Sequence, residues 1–185
     1  MAKYREMESG RSSDTMPLAV LKSEGGDEAA GHSLFNSSVP TLFQMAEVGG
    51  TVVATWKGGP PRLFSASCVY VQNKVPLRED QSGVKDCAVW ITMDEPDLNL
   101  LADYNTLTHD DWVTGHGLPA DQRDPNLPVA WIRFTDGEDT AQADVELAHR
   151  SGRYITFKFL ASGGGAASMP MSVMNLAATG KAVQV

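Results

Sequence analysis

Cysteine is scarce in this chain: Cys68 and Cys87 are the only two in 185 residues, and they show no CxxC spacing. That removes the basis for a disulfide framework or a thiolate zinc site. Each lies in a strand-like run, and adjacent antiparallel strands would bring the two within bridging reach. The alternative, two buried free thiols in a reducing compartment, agrees better with such sparse usage. Positive charge is also scarce, with 15 basic against 23 acidic side chains and a net charge of -8. Phosphate backbones need clustered Lys and Arg, so duplex nucleic acid is an unsuitable partner, and so is an anionic membrane surface. No run is long and apolar enough to span a bilayer. No apolar segment follows the first residues, so no secretory signal is expected and the chain reads as soluble, intracellular and cytoplasmic.

Catalytic signatures are missing as well. There is no G-x-S-x-G elbow, and neither cysteine has a recognisable catalytic context. The glycine run Gly163–Gly165 precedes no Lys-Ser/Thr pair and no clear helix, so it fails the P-loop and dinucleotide patterns and reads as a turn. Four histidines, His32, His109, His116 and His149, leave a triad numerically open, but nothing marks an activated nucleophile. The chain is expected to be non-catalytic, and no cofactor is implied.

What is present is period-two alternation. Over 129–134, Ala130, Ile132 and Phe134 share one face. Over 143–147, Ala143, Val145 and Leu147 share one face against Asp144 and Glu146. Over 153–160, Ile155, Phe157 and Phe159 share one face against Thr156 and Lys158. Three consecutive runs of this kind predict antiparallel strands with one buried and one wet face. Residues 51–56, rich in β-branched side chains, read as a further strand. So do 64–71 and 86–91, joined as a long hairpin through a polar loop at 76–83, and 171–177. Residues 17–21 suit a first edge strand, 23–31 a flexible acidic loop, and 180–185 a fraying end. The fold class is mainly β: an antiparallel sandwich of jelly-roll type occupying residues 17–185, preceded by a polar tail at 1–16 that is disordered or orders only against a partner.

One helix is expected over 94–104, with Pro96 early and Asp94, Glu95 and Asp97 at its positive end. A second short turn at 108–113 has Thr108 as its N-cap, and a long polar loop runs from Gly115 to Pro128. Residues 37–46 suit a short helix or an irregular segment. The residues Asp103, His109, Asp110, Asp111 and His116 gather oxygen and nitrogen donors near Trp112. Their spacing fits no zinc motif and no EF-hand, which favours capping and loop solvation and leaves no metal site. Trp112 precedes a loop and suits either core packing or a ligand platform; Trp131 suits the core.

The order of features from Leu101 to Val185 resembles the later half of a galactose-binding-like jelly roll of the discoidin/DOC type. Asp103 to Trp112 is similar to an acidic loop ending in tryptophan, and Trp131-Ile132 to the "WI" strand. Arg153 to Phe157 is similar to the aromatic-rich "RY(V/I)" strand, and Val173 to Ala178 to the terminal strand. The resemblance implies a binding module that uses loops at one end of the sandwich. The matching loop positions are Asp103, Asp111, Trp112 and His116. Intracellular members serve large assemblies, so the expected function is a non-catalytic interaction subunit whose partners are other protein subunits, with Trp56 and Trp112 as apolar anchors. The alternatives are a carbohydrate- or small-ligand-binding module, with calcium dependence as one variant, and a hydrolase on a sandwich scaffold.

Overall fold

Alternating or β-branched side chains become strands where neighbours can bury a shared face, and nine strands form among the described residues. The computed structural model describes residues 15–36, 38, 42–73, 82–134, 142–163 and 171–183. The strands are β1 (Leu18–Glu24), β2 (Phe43–Met45), β3 (Thr51–Trp56), β4 (Phe64–Asn73), β5 (Ser82–Thr92), β6 (Ala130–Arg133), β7 (Gln142–Gly152), β8 (Tyr154–Ser162) and β9 (Met171–Ala182). One layer runs β1-β3-β8-β5-β6 and the other β7-β4-β9-β2, all antiparallel. A short parallel pairing of Ser82 and Gly83 with Met171 and Ser172 joins them.

The inner faces close on one apolar core. Val52 and Ala54, Cys87 and Val89, Ile132, and Ile155, Phe157 and Phe159 come from the first layer; Phe43, Val69, Val71, Leu147, Val173 and Leu176 come from the second. Phe43 and Phe159 touch across the layers with ring centroids 6.4 Å apart. Each such side chain, fully buried, stabilises the fold by about 1.5–3 kcal/mol.

The inward faces expected at 129–134, 143–147 and 153–160 are those that β6, β7 and β8 turn to the core. Other expectations need correction. The 64–91 hairpin does not form: β4 lies between β9 and β7 in one layer, and β5 between β8 and β6 in the other. Cys68 and Cys87 are accordingly separate, both buried and both free. Residues 37–46 contain a strand, because Phe43 and Met45 are fully buried and pair along β9. The acidic loop at 23–31 is partly ordered: Gly26 bridges Met45, and a single helical turn α1 spans Glu28–Gly31. Met16 packs into the core and Thr15 bridges Thr179, so the end of the anticipated tail is structural; residues 1–14 of that tail lie outside the described residues. So do residues 76–81 of the expected loop and Gly164 and Gly165 of the glycine run. The terminal strand reaches Ala182 instead of fraying from Gly180.

Thr156 and Lys158 were expected to face water, yet they are 0% and 2% exposed. The outer face of the first layer is covered, as described below. Lys158 Nζ donates to the Gly49 carbonyl at 3.1 Å and to Thr51 Oγ1 at 3.2 Å. Burial pushes this amine below the usual lysine value, against a smaller opposing pull from Glu24. At neutral pH the folded chain therefore holds a poorly hydrated charge that the unfolded chain hydrates fully, which costs stability. The cost is relieved as pH rises through the lowered folded pKa towards the ordinary 10.5. Thr51 Oγ1 also donates to Gly49 O at 3.0 Å, so that carbonyl keeps a partner when the amine is removed. Lys158→Met should therefore raise the melting temperature at pH 7 by ~2–4 °C, the effect of about 1 kcal/mol in a domain of this size. The gain should shrink at pH 10. A fall in melting temperature at both pH values would mean that the lysine's hydrogen bonds outweigh its desolvation.

Candidate functional site

The first layer carries a second apolar cluster on its outer side. In β5 the inward residues are Cys87 and Val89, while Ala88 and Trp90 point outward to join Trp131 of β6 and Leu160 of β8. Two short helices cover that face. Helix α2 (Leu98–Ala102) buries Leu101 there, and Leu98, Tyr104, Leu107 and Trp112 pack around it. Helix α3 (His109–Gly117) contributes Trp112. The expected 94–104 helix is only five residues long, because Asp97 is the N-cap that accepts from the Asn99 amide, leaving Pro96 outside.

Helix α3 begins where expected. Thr108 and Asp111 form a capping box: the Asp111 amide donates to Thr108 Oγ1, and the Thr108 amide and hydroxyl donate to Asp111 Oδ2. Those bonds hold the exposed Asp111 carboxyl below the usual carboxylate range. The helix runs on to Gly117, four residues beyond the turn anticipated at 108–113.

Three indoles fix the surroundings. Trp90 Nε1 donates to Asn126 O at 2.7 Å and Trp112 Nε1 to Pro128 O at 2.8 Å, so two tryptophans tie down the polar loop after α3. His116 Nε2 lies 2.9 Å from the same Pro128 carbonyl, which can only accept, so this nitrogen carries the proton. Tyr104 Oη donates to Asp124 at 3.0 Å; burial first, and then this carboxylate, push the phenol up to about 12. Trp131 Nε1 donates to Asp86 Oδ1 at 2.7 Å, and the same carboxylate accepts from Arg133 Nε at 2.7 Å and Nη2 at 3.3 Å. Trp112 lies with ring centroids 6.0 Å from Trp131, 5.8 Å from His109 and 5.0 Å from His116.

Beside this stack is a cavity of about 430 Å³. Its apolar lining includes Trp131 and Leu160, which are 6% and 8% exposed. Its polar wall is Lys85, Asp86 and Arg133 from β5 and β6, and its rim is the 105–109 loop with Asn105, Thr108 and His109. An apolar lining ringed by convergent amide, hydroxyl, imidazole and cationic groups is the usual make-up of a small-ligand site.

Of the residues singled out from sequence, Trp112, His116 and Asp111 share α3, but none of the three lines the cavity. Asp111 serves the cap, and Trp112 and His116 brace the loop at Pro128. Asp103 closes α2 with its backbone amide and is exposed. Trp56 packs against the inner core, on the opposite side of the layer from Trp112, so the two do not form one surface. The residues that do meet at the cavity, Lys85, Asp86, Asn105 and Arg133, were missed. The signal for some of them was there: Asp86 and Trp90 alternate with Cys87 and Val89, and Trp131 and Arg133 with Ala130 and Ile132. Those outward positions carry charge and aromatic area, which a solvated face does not require.

No protein-family model and no curated protein sequence matches this chain. Solved structures do. A CBM32 module from a family 31 glycoside hydrolase of Clostridium perfringens is similar over 91% of this chain and 96% of its own, at a TM-score of 0.62 and 10% identity. The CBM32 of AlyQ, solved with 4,5-unsaturated mannuronic acid, matches over 89% and 96% at a TM-score of 0.54 and 10% identity. The family 32 module of C. perfringens NanJ, solved with galactose, matches over 89% and 97% at 0.53 and 10%. The fold is a galactose-binding-like jelly roll. The resemblance drawn from residues 101–185 therefore extends over almost the whole chain. The expectation of an assembly subunit is corrected by the same finding: these jelly-roll neighbours are carbohydrate-binding modules, not assembly subunits. Among the described residues, no helix is long and apolar enough to cross a membrane.

Proposed function

We propose that this jelly roll binds a carbohydrate in the cavity between β5, β6, β8 and the 105–109 loop. The observation that carries the reading is the composition of that cavity: apolar Trp131 and Leu160 meet Asn105, Thr108, His109, Lys85 and Arg133 within about 430 Å³. A pyranose has an apolar face and a ring of hydroxyls, and it needs both kinds of wall. The sugars bound by the similar modules of NanJ and AlyQ support the same ligand class.

The reading is one of binding without bond cleavage. Glycoside hydrolysis ordinarily needs two carboxyl groups facing each other across the bond. Among the described residues the cavity wall carries one, Asp86, and both of its oxygens are already engaged by Trp131 and Arg133.

The test is a glycan array on the intact chain, followed by calorimetric titration of the best monosaccharide. Asn105→Ala and His109→Ala should each weaken binding by tenfold or more; exposed Asn105→Ala should leave the melting temperature within ~2 °C, as surface changes usually do, whereas His109→Ala also loses its ring contacts with Trp112 and Trp131. An array without signal, or binding unchanged in both variants, would overturn the reading.

A further inference from the structure

We infer that Gly49 is a positioning residue for the cavity: its bare backbone is the seat of the Asn105 side-chain amide, and a side chain at residue 49 would push that amide out of its ligand-binding place; the inference rests on the carbohydrate reading above. Asn105 stands at the rim, in the turn after α2, where its backbone N–H donates to Ala102 O at 3.0 Å. Its side chain is exposed and makes no hydrogen bond among the described residues. The acceptor Oδ1 and the donor Nδ2 are therefore both open to a sugar hydroxyl. A β-carbon on residue 49 would stand 2.7 Å from Oδ1, 2.9 Å from Cγ and 3.2 Å from Nδ2 of Asn105. Nonbonded carbons settle at about 3.5–4.0 Å, so the amide would have to leave. Gly49 also has φ +99°, a conformation that L side chains rarely adopt.

The seat is itself held firmly. Gly49 N–H donates to Phe159 O at 2.7 Å, and Phe159 N–H donates to Gly50 O at 2.9 Å. The Gly49 carbonyl accepts from Lys158 Nζ at 3.1 Å and from Thr51 Oγ1 at 3.0 Å. These bonds tie the Gly49–Gly50 corner to β8, the strand that also supplies Leu160 to the cavity lining. The buried lysine gains a purpose here. A buried charge that costs stability is accounted for when it fixes a geometry, and this one steadies the seat of an amide at the cavity rim.

The experiment is a pair of double-mutant cycles on the intact chain, read by calorimetric titration with galactose and with the monosaccharide that the glycan array ranks first. Titrations are run well below each variant's melting temperature, so that lost stability is not read as lost affinity. Gly49→Ala should weaken binding about tenfold or more, and Gly49→Ala/Asn105→Ala should bind no more weakly than Asn105→Ala alone. By NMR relaxation of the ligand-free chain, the Asn105 Nδ2 group should be more mobile in Gly49→Ala than in the wild type. Lys158→Met keeps the test decisive if Gly49→Ala fails to fold. It should raise the melting temperature at pH 7 and yet weaken binding by about threefold, with no further loss when combined with Asn105→Ala. Opposite movements of stability and affinity are not expected of a lysine that serves the fold alone. Wild-type affinity in Gly49→Ala, or losses that multiply with that of Asn105→Ala, would overturn the seat and leave the carbohydrate reading standing. If Gly49→Ala does not fold, the same two outcomes in Lys158→Met decide against it. Absence of binding by the intact chain, together with a silent array, would remove the carbohydrate reading and the ligand role of the seat with it.

Discussion

Phe157→Ala should destabilise the protein by about 3–5 kcal/mol, read as a shift in urea midpoint at constant m-value. Phe157 is fully buried in β8, between Val52 of β3 and Val89 of β5 in the ladder. Its ring lies 6.0 Å, centroid to centroid, from that of Phe35, so it also anchors the segment that follows α1. Alanine there removes most of a phenyl's contacts and leaves a void that the strand pairing on both sides prevents from collapsing. Native domains hold roughly 5–15 kcal/mol in total, so the variant should be partly unfolded near 37 °C. Phe157→Leu, which keeps most of the volume, should cost far less. A loss below about 1 kcal/mol for the alanine variant would contradict the central place of this ring in the core.

The second large effect belongs to Asp86. Asp86→Ala should cost about 2–3 kcal/mol, because it strands the buried Trp131 indole N–H and removes the carboxylate that Arg133 grips. The figure is kept to the lower end because the Arg133 side chain is 41% exposed and recovers water on release. Asp86→Asn retains an acceptor for the indole and should lose less. Trp131→Phe removes the stranded donor, so the double variant Asp86→Ala/Trp131→Phe should be less destabilised than the sum of the single changes. Strict additivity, by chemical denaturation, would mean the two side chains are energetically independent in spite of the 2.7 Å bond. If the cavity binds a sugar, Asp86→Ala should also weaken that binding, by loosening Arg133.

The inner faces of β6, β7 and β8 were legible because alternation is a local property: Ala130, Ile132 and Phe134 face one way whatever lies opposite. The Thr108 cap was equally legible, since a capping hydroxyl acts within three residues. The outer face of the first layer was not. Thr156 and Lys158 read as wet, and they would be wet in an isolated sheet. Both are dry, and Lys158 is held by a segment distant in sequence, Gly49 to Thr51. The same limit hid the cavity. Lys85 and Asp86 are separated from Arg133 and from Leu160 by whole elements, and no spacing within the sequence links them.

Composition and alternation by themselves determined the class of this protein: an acidic β-sandwich with core phenylalanines and a capped helix between strands. These follow from side-chain chemistry acting over a few residues. Tertiary structure alone decided that β4 and β5 part into different layers, that Trp56 and Trp112 lie on opposite sides of one sheet, and that Asp86 joins Trp131 to Arg133. Strand pairing fixes which distant residues become neighbours, and pairing depends on the burial of the whole core at once, not on any run within it.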